Sequence, residues 1–378
     1  MRIKFAAIFL IFIIAGCGSN VSKTVVLEEN ERKIILLPDS SLAEFSSLNT
    51  FSLQNGSGVI ALYDIERHSE LFFNEKGKEL SRIILHYPDS LSGNDPMLFV
   101  EPLGMDSILA IWPSMKSVFL FNAKGEIARQ FNATTELNDG QKDYSLIAMD
   151  MSPIKSDGKT IYITCTRLDV VVRSQDARKK YFSTPPDISI NLLNPEQQEN
   201  TGIWPEEYKA GVLYRDYYPQ RCVNGKGEIV YGFTASDSVY VLKNNKTISK
   251  HYCKSRFMTE RHPYPDDSLG HFSFLERYDI IEPRYIGLTY DPYRNYYYRI
   301  VFHAITYEKP DGLTVNTYAD KPWSLMIMDE NFSVLNEIVV DNKRFLPEVF
   351  PVKDGLLFKQ RQEKNNLPPV TFSLFKFQ

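Results

Sequence analysis

Val59–Leu85 reads VIALYDIERHSELFFNEKGKELSRIIL, and the fold follows from how that stretch divides. Three short apolar runs stand out: Val59–Tyr63, Glu70–Phe73 and Ser81–Leu85. Between the second and third lies Asn74-Glu75-Lys76-Gly77, a polar turn closed by glycine. Runs of this length, rich in Ile, Val, Phe and Tyr and bounded by Asn, Asp and Gly, predict β-strands joined by hairpins.

The unit recurs. Ser107–Phe131 reads SILAIWPSMKSVFLFNAKGEIARQF, and its Phe121-Asn122-Ala123-Lys124-Gly125 overlays Phe73-Asn74-Glu75-Lys76-Gly77. Glu228–Cys253 and Trp323–Val340 are further copies, the latter with Asp329-Glu330-Asn331-Phe332 at the turn. Weaker copies begin at Lys159 and Asp354. Taking the first apolar strand of each, the starts fall near Val59, Ile108, Thr160, Ile229, Gly287 and Gly355, which makes six units.

A period of about 50 residues with about four strands per unit is the pattern of a β-propeller. A lone four-stranded sheet leaves open edges and an unburied face; radial stacking buries the faces. The expectation is an all-β, six-bladed propeller. A seven-bladed propeller and a β-sandwich are the alternatives.

The first residues belong to no blade. Arg2 and Lys4 precede ten apolar residues, Phe5–Ile14, a run too short to span a bilayer. Ile14-Ala15-Gly16-Cys17 then resembles a bacterial lipobox, which predicts cleavage after Gly16 and lipidation of Cys17. The domain reading is a signal peptide over 1–16, a lipidated tether over 17–23 and a single propeller over 24–378. Thr24–Leu37 is expected to pair with Thr371–Phe377, closing the ring with strands from both termini.

Composition suits a soluble body behind such an anchor. Of 378 residues, 43% are hydrophobic, with 22 Tyr and 24 Phe that favour strands. Loss of Arg2 and Lys4 with the leader takes the formal charge from −4 to −6, which argues against a nucleic-acid partner. Cys165, Cys222 and Cys253 have no CxxC spacing and read as buried free thiols. Arg173–Tyr214 and Lys254–Glu276 read as two long loops inserted among the blades, a frequent place for function.

Tyr290-Asp291-Pro292-Tyr293-Arg294-Asn295-Tyr296-Tyr297-Tyr298-Arg299 is the most distinctive stretch. With the lipobox and the FNxKG turns it resembles a family of Bacteroidetes lipoproteins known only as a domain of unknown function. That resemblance implies a six-bladed propeller in the cell envelope and carries over no catalytic residue. Surface-exported lipoproteins of that phylum often bear an acidic run after the lipidated cysteine; Gly18–Lys23 has none, so the periplasmic side of the outer membrane is expected.

No GxSxG elbow, P-loop or GxGxxG is present, and no histidine pair has HExxH or H-x3-5-H spacing with a nearby acid. No catalytic residue, cofactor or metal ligand is therefore assigned. His262 and His271, with Asp266 and Asp267 between them, read as a solvated loop before a metal site. Asp64, Asp150 and Asp291 would sit near inner-strand ends, where acids either hold calcium in a propeller channel or anchor turns. Asp-Ser-aliphatic triplets start at Asp89, Asp106, Asp237 and Asp267; they resemble the O-glycosylation acceptor pattern of Bacteroidetes and are also ordinary turn chemistry. The reading is a lipid-anchored binding module for a peptide, glycan or partner protein, with Trp204, Tyr290, Arg294, Tyr297 and Arg299 as the binding surface through stacking rings and guanidinium forks. A propeller hydrolase or lyase acting on a sugar or lactone is the alternative.

Overall fold

The structure, a computed structural model, describes residues 25–36, 45–53, 56–87, 99–134, 136, 144–149, 152–167, 174–268, 271–361 and 370–378. The leader, Cys17 and the tether lie outside them.

Six small antiparallel sheets form the six blades of a β-propeller. Strand β1 (Leu27–Leu36) comes first in the chain but belongs to the last blade. Blade one is β2 (Phe45–Ser52), β3 (Gly58–Asp64), β4 (Ser69–Asn74) and β5 (Glu79–Ile84). Blade two is β6 (Phe99–Pro102), β7 (Ser107–Trp112), β8 (Ser117–Asn122) and β9 (Ile127–Asn132). Blade three holds β10 (Tyr144–Ile147), the short β11 (Lys155–Ser156), β12 (Thr160–Arg167), β13 (Asp187–Asn191) and β14 (Gln198–Thr201), with helix α1 (Gln175–Tyr181) between β12 and β13. Helix α2 (Glu206–Lys209) leads to blade four: β15 (Gln220–Val223), β16 (Ile229–Gly232), β17 (Ser238–Lys243) and β18 (Lys246–Tyr252). Helix α3 (Phe272–Ile281) leads to blade five: β19 (Arg284–Asp291), β20 (Tyr296–Phe302), β21 (Trp323–Met328) and β22 (Val334–Val340). Blade six is β23 (Phe345–Val352), β24 (Gly355–Gln360), β25 (Val370–Phe377) and β1.

The apolar run that decides the fold has a simple packing cause. Every residue of β3 is buried, because a second strand lies between two neighbouring blades. Successive side chains point to opposite faces, so Val59, Ala61 and Tyr63 pack with Phe119 and Phe121 of blade two. Ile60 and Leu62 pack the other way, with Leu36, Phe372 and Leu374 of blade six. An outer strand such as β5 is largely wet, with Ile83 its one buried residue.

Ring closure follows the expected pairing. In β1, Ile34 and Leu36 point into the core shared with blade one, and the strand pairs with β25 from Leu27↔Phe377 to Leu36↔Val370. Burying those two side chains contributes about 3–6 kcal/mol. Arg344 joins the strand at Glu29, 2.7 Å away.

Two sequence expectations change. The apolar run that starts each unit is the second strand in five blades; the innermost strands β2, β6, β10, β15 and β23 precede it. Short, partly polar innermost strands such as β6, with Glu101, give only a weak apolar signal. In blade five, Gly287 falls on the innermost strand itself. Arg173–Tyr214 is not one inserted loop: Asp187–Thr201 supplies the outer strands β13 and β14. Likewise the Lys254–Glu276 loop runs into α3, whose N-terminal residue His271 makes no side-chain cap and so left no start signal.

Candidate functional site

Antiparallel four-stranded blades give a propeller two unlike mouths. The hairpins from first to second and from third to fourth strand leave at one mouth. The links between blades and the hairpins from second to third strand leave at the other. Among the described residues, the hairpin mouth has short turns. The long segments 202–219, 253–283 and 303–322, and α1 with its flanks, all leave at the opposite, insertion mouth.

There they dock on one another. The Arg178 guanidinium of α1 donates to Gly211 O (2.6 Å) and to Asp266 (2.6 Å). The Lys321 ammonium is buried and donates to the carbonyls of Asp279, Ile280 and Glu282 at 2.9, 2.9 and 2.6 Å, closing the end of α3. Burial, with Arg284 adding to it, pulls this amine down to about 7. His303 stacks on Phe257 with centroids 4.1 Å apart, and burial, then Lys321 and Arg256, depress its ring to about 4.

A cleft opens between these insertions and blade four, lined by Tyr214, Arg215, Thr234, Arg261, Tyr278, Glu282 and Arg284. Arg284 begins the innermost strand β19 and is 5% exposed. It reaches Asp216 (2.8 Å) and Asp279 (2.7 Å). Arg215 faces the same two acids at 3.6 and 3.5 Å and is 42% exposed. Burial raises the Asp216 carboxyl, against the pull of Arg284 and Arg215. Asp216 also has φ +53°, a left-handed backbone that a non-glycine residue holds only under constraint. Glu282 accepts from the His262 backbone N–H (3.0 Å) and lies 2.9 Å from its ring, which raises the imidazole above its ordinary value.

The five predicted binding residues separate. Trp204 is 3% exposed, sits among Tyr181, Phe182, Tyr208 and Phe233, and donates Nε1–H to Thr184 O. Arg299 is wholly buried, lies 3.3 Å from the Tyr285 ring and donates to Phe233 O and Ser236 O. Tyr297 is buried against Phe332, its hydroxyl accepting from Asn224. These three are taken up by packing between blades and leave no surface for a ligand, which corrects their assignment. Tyr290 and Arg294 remain partly exposed, at the hairpin mouth. There Arg294 spans to Val352 O and Lys353 O, and Tyr290 donates to Asn295. Between them Tyr293 reaches Ser52 of blade one at 2.8 Å.

The other candidates resolve by their contacts. Asp64 accepts from the backbone of Glu66 and Arg67, and Asp291 from that of Tyr293 and Arg294, so both anchor turns. Asp150 lies outside the described residues, as does the triplet from Asp89 to Leu91. Of the other triplet serines, Ser107 and Ser268 are partly exposed, whereas Ser238 is 5% exposed and out of reach of a modifying enzyme. Cys165, Cys222 and Cys253 are buried and unpaired. Arg215, Arg261 and Arg284 were missed by sequence reading; Arg261 alone falls in a predicted long loop, Arg215 follows the end of the other, and Arg284 opens strand β19.

Buried charge also links the blades nearer the axis. Arg221 and Asp187, both fully buried, meet at 2.5 Å between blades four and three, with Tyr231, Ser152 and Thr164 completing the shell. Lys155 meets Glu101 at 2.6 Å. Glu70 is fully buried with neither carboxylate oxygen bonded; burial, and secondarily Glu101, hold its carboxyl well above the usual range.

Fold and site define the class: a six-bladed β-propeller whose insertions gather into a charged, aromatic mouth. The chain belongs to the family described as Domain of unknown function (DUF4221), whose model matches residues 96–339, including the Tyr290–Arg299 stretch. A member of that family from Bacteroides vulgatus is 20% identical, with a TM-score of 0.76 over 94% of this chain and 99% of its own. A protein of Bacteroides fragilis described as exported is 10% identical, with a TM-score of 0.52 over 96% and 97%. Virginiamycin B lyase from Staphylococcus aureus is 8% identical, with a TM-score of 0.40 over 93% of this chain and 99% of its own. No curated protein matches the chain. Among the described residues no helix is long and apolar enough to cross a membrane.

Proposed function

We propose that this protein is an exported, lipid-anchored propeller of the cell envelope, held through Cys17 on the periplasmic side of the outer membrane. Its insertion mouth binds a peptide, glycan or partner protein. The observation that carries the reading is that four long segments leave at one mouth, where two of them, 202–219 and 253–283, place Arg215 and Arg261 in a single cleft beside Arg284 of β19. Turns this long are unnecessary for blade closure, as the short ones at the opposite mouth show. Support for the envelope comes from the leader and lipobox and from a structural relative described as exported.

Two measurements test it. Feeding cells a clickable palmitate analogue labels the wild type, whereas Cys17→Ala remains unlabelled and leaves the membrane fraction. On a glycan and peptide array the protein retains a defined class of ligand, and substitutions at Arg215 or Arg261 reduce retention. Retention that responds only to Tyr293 or Arg294 variants would move the function to the hairpin mouth.

A further inference from the structure

We propose that the seam between blades five and six holds a binding site for a single apolar aromatic ring, apart from the insertion mouth and independent of what that mouth binds. Between β22, the outermost strand of blade five, and the face of blade six lies a cavity of about 160 Å³. Leu27, Ile338, Val340, Phe345, Phe358 and Phe375 line it. Protein interiors pack as densely as organic crystals, and voids larger than a water molecule are few. A cavity of this size leaves its lining short of contacts that a guest would restore.

Blade six is built around the opening. From Glu29 to Lys33 strand β1 takes four steps while β25 takes two, from Phe375 to Ser373. From Phe345 to Val349 strand β23 takes four steps while β24 takes two, from Gln360 to Phe358. Every other register shift among the described strands gains a single residue. Glu29, Phe345, Phe358 and Phe375 bound these two wider bulges, and all four line the cavity. Bulges concentrate beside binding sites because they bend a strand and re-aim its side chains.

The lining selects the guest. The Phe358 and Phe375 ring centroids lie 4.3 Å apart, and Phe345 meets these two rings at 69° and 76°, so aromatic edges and faces already surround the space. The charged groups at the rim are engaged. Arg344 pairs with Glu29, Glu29 also accepts from Ser373, and Asp341 accepts from the Lys343 N–H. They call for no counter-charge, and the apolar side chains beneath them offer water no hydrogen bond. A dry cavity of about 150 Å³ lined by Leu, Ile and Phe takes up benzene. A six-carbon ring fills such a space with no torsions to order, unlike an aliphatic chain of the same volume.

Two measurements test it on the protein purified as the cell processes it. Melting curves are recorded with toluene and with the capped peptide acetyl-Gly-Phe-Gly-amide, and crystals are soaked in bromobenzene. At least one of the two probes is expected to raise the melting temperature by about 2 °C or more, because it binds the folded chain alone. Bromine density is expected beside Phe345 and Phe375. Ile338→Trp, which fills the cavity, is expected to keep the wild-type circular dichroism and lose the shift; Leu27→Trp is the second variant. A larger shift with the peptide supports the site and makes the ring a polypeptide side chain; a larger one with toluene supports it and makes the ring part of a free small molecule. No bromine density in the seam, no shift with either probe, or a shift that both variants retain overturns the inference, and none of these results bears on the insertion mouth.

Discussion

The two mouths of this propeller are built by opposite means. At the hairpin mouth one local device is used four times. Asn74, Asn122, Asn224 and Asp329 each accept, through Oδ1, from the backbone N–H two and four residues on. In three of these turns a glycine at positive φ completes the loop; in the fourth Phe332 takes that place at φ +64°, held by stacking on Tyr297 and His251. At the insertion mouth almost nothing is local. Arg178 meets Asp266, Lys321 caps α3, and Arg284 meets Asp216 across 68 positions of sequence. Turn chemistry shapes the first mouth; packing and charge between distant segments shape the second.

The contrast can be broken by substitution, and the largest effect is expected at Trp204. Its ring joins the insertions to blade four, so Trp204→Ala is expected to destabilise the protein by about 4 kcal/mol in denaturant unfolding. A loss under about 1 kcal/mol would mean that the insertions are loosely hung loops. Next comes Gly125→Ala at the hairpin mouth. The residue has φ +75°, and a Cβ there would lie 1.7 Å from the Ile84 carbonyl oxygen of blade one. Strain and clash together are expected to cost about 3 kcal/mol.

Glu70 sharpens the comparison through pH. Its folded carboxyl stays protonated above the pH at which the unfolded one ionises, near 4.5. The folded state then binds the extra proton, so stability is full below that pH and declines as pH rises toward the folded value. Glu70→Gln is expected to flatten this decline and to raise the melting temperature at pH 8; wild-type and variant curves running parallel from pH 4 to pH 8 would refute it. The smallest effect belongs to Gly227→Ala. Here φ is +69° and a Cβ would meet nothing within 4 Å, so only the backbone term of about 1 kcal/mol remains. A cost equal to that of Gly125→Ala would show that the inter-blade clash counts for little.

What could be read beforehand follows the same division. The FNxKG turns announced themselves because Asn and Gly act within five residues. The six units showed because second strands are buried on both faces and so are continuously apolar, as in Val59–Tyr63. The binding residues were misjudged for the converse reason. Tyr297 and Arg299 alternate on a strand like exposed recognition groups, but β20 is a second strand, and both its faces are covered by blades. Trp204 stood in a polar segment that gave no sign of the aromatic cluster it enters.

The amino-acid sequence by itself determined the blades and their number, because Asn and Gly make the turns within five residues and strands covered on both faces are continuously apolar. Tertiary structure alone decided that Arg215, Arg261 and Arg284 would share a cleft and that three conspicuous side chains would be buried. Those outcomes depend on docking between segments tens of residues apart, where no local pattern exists to be read.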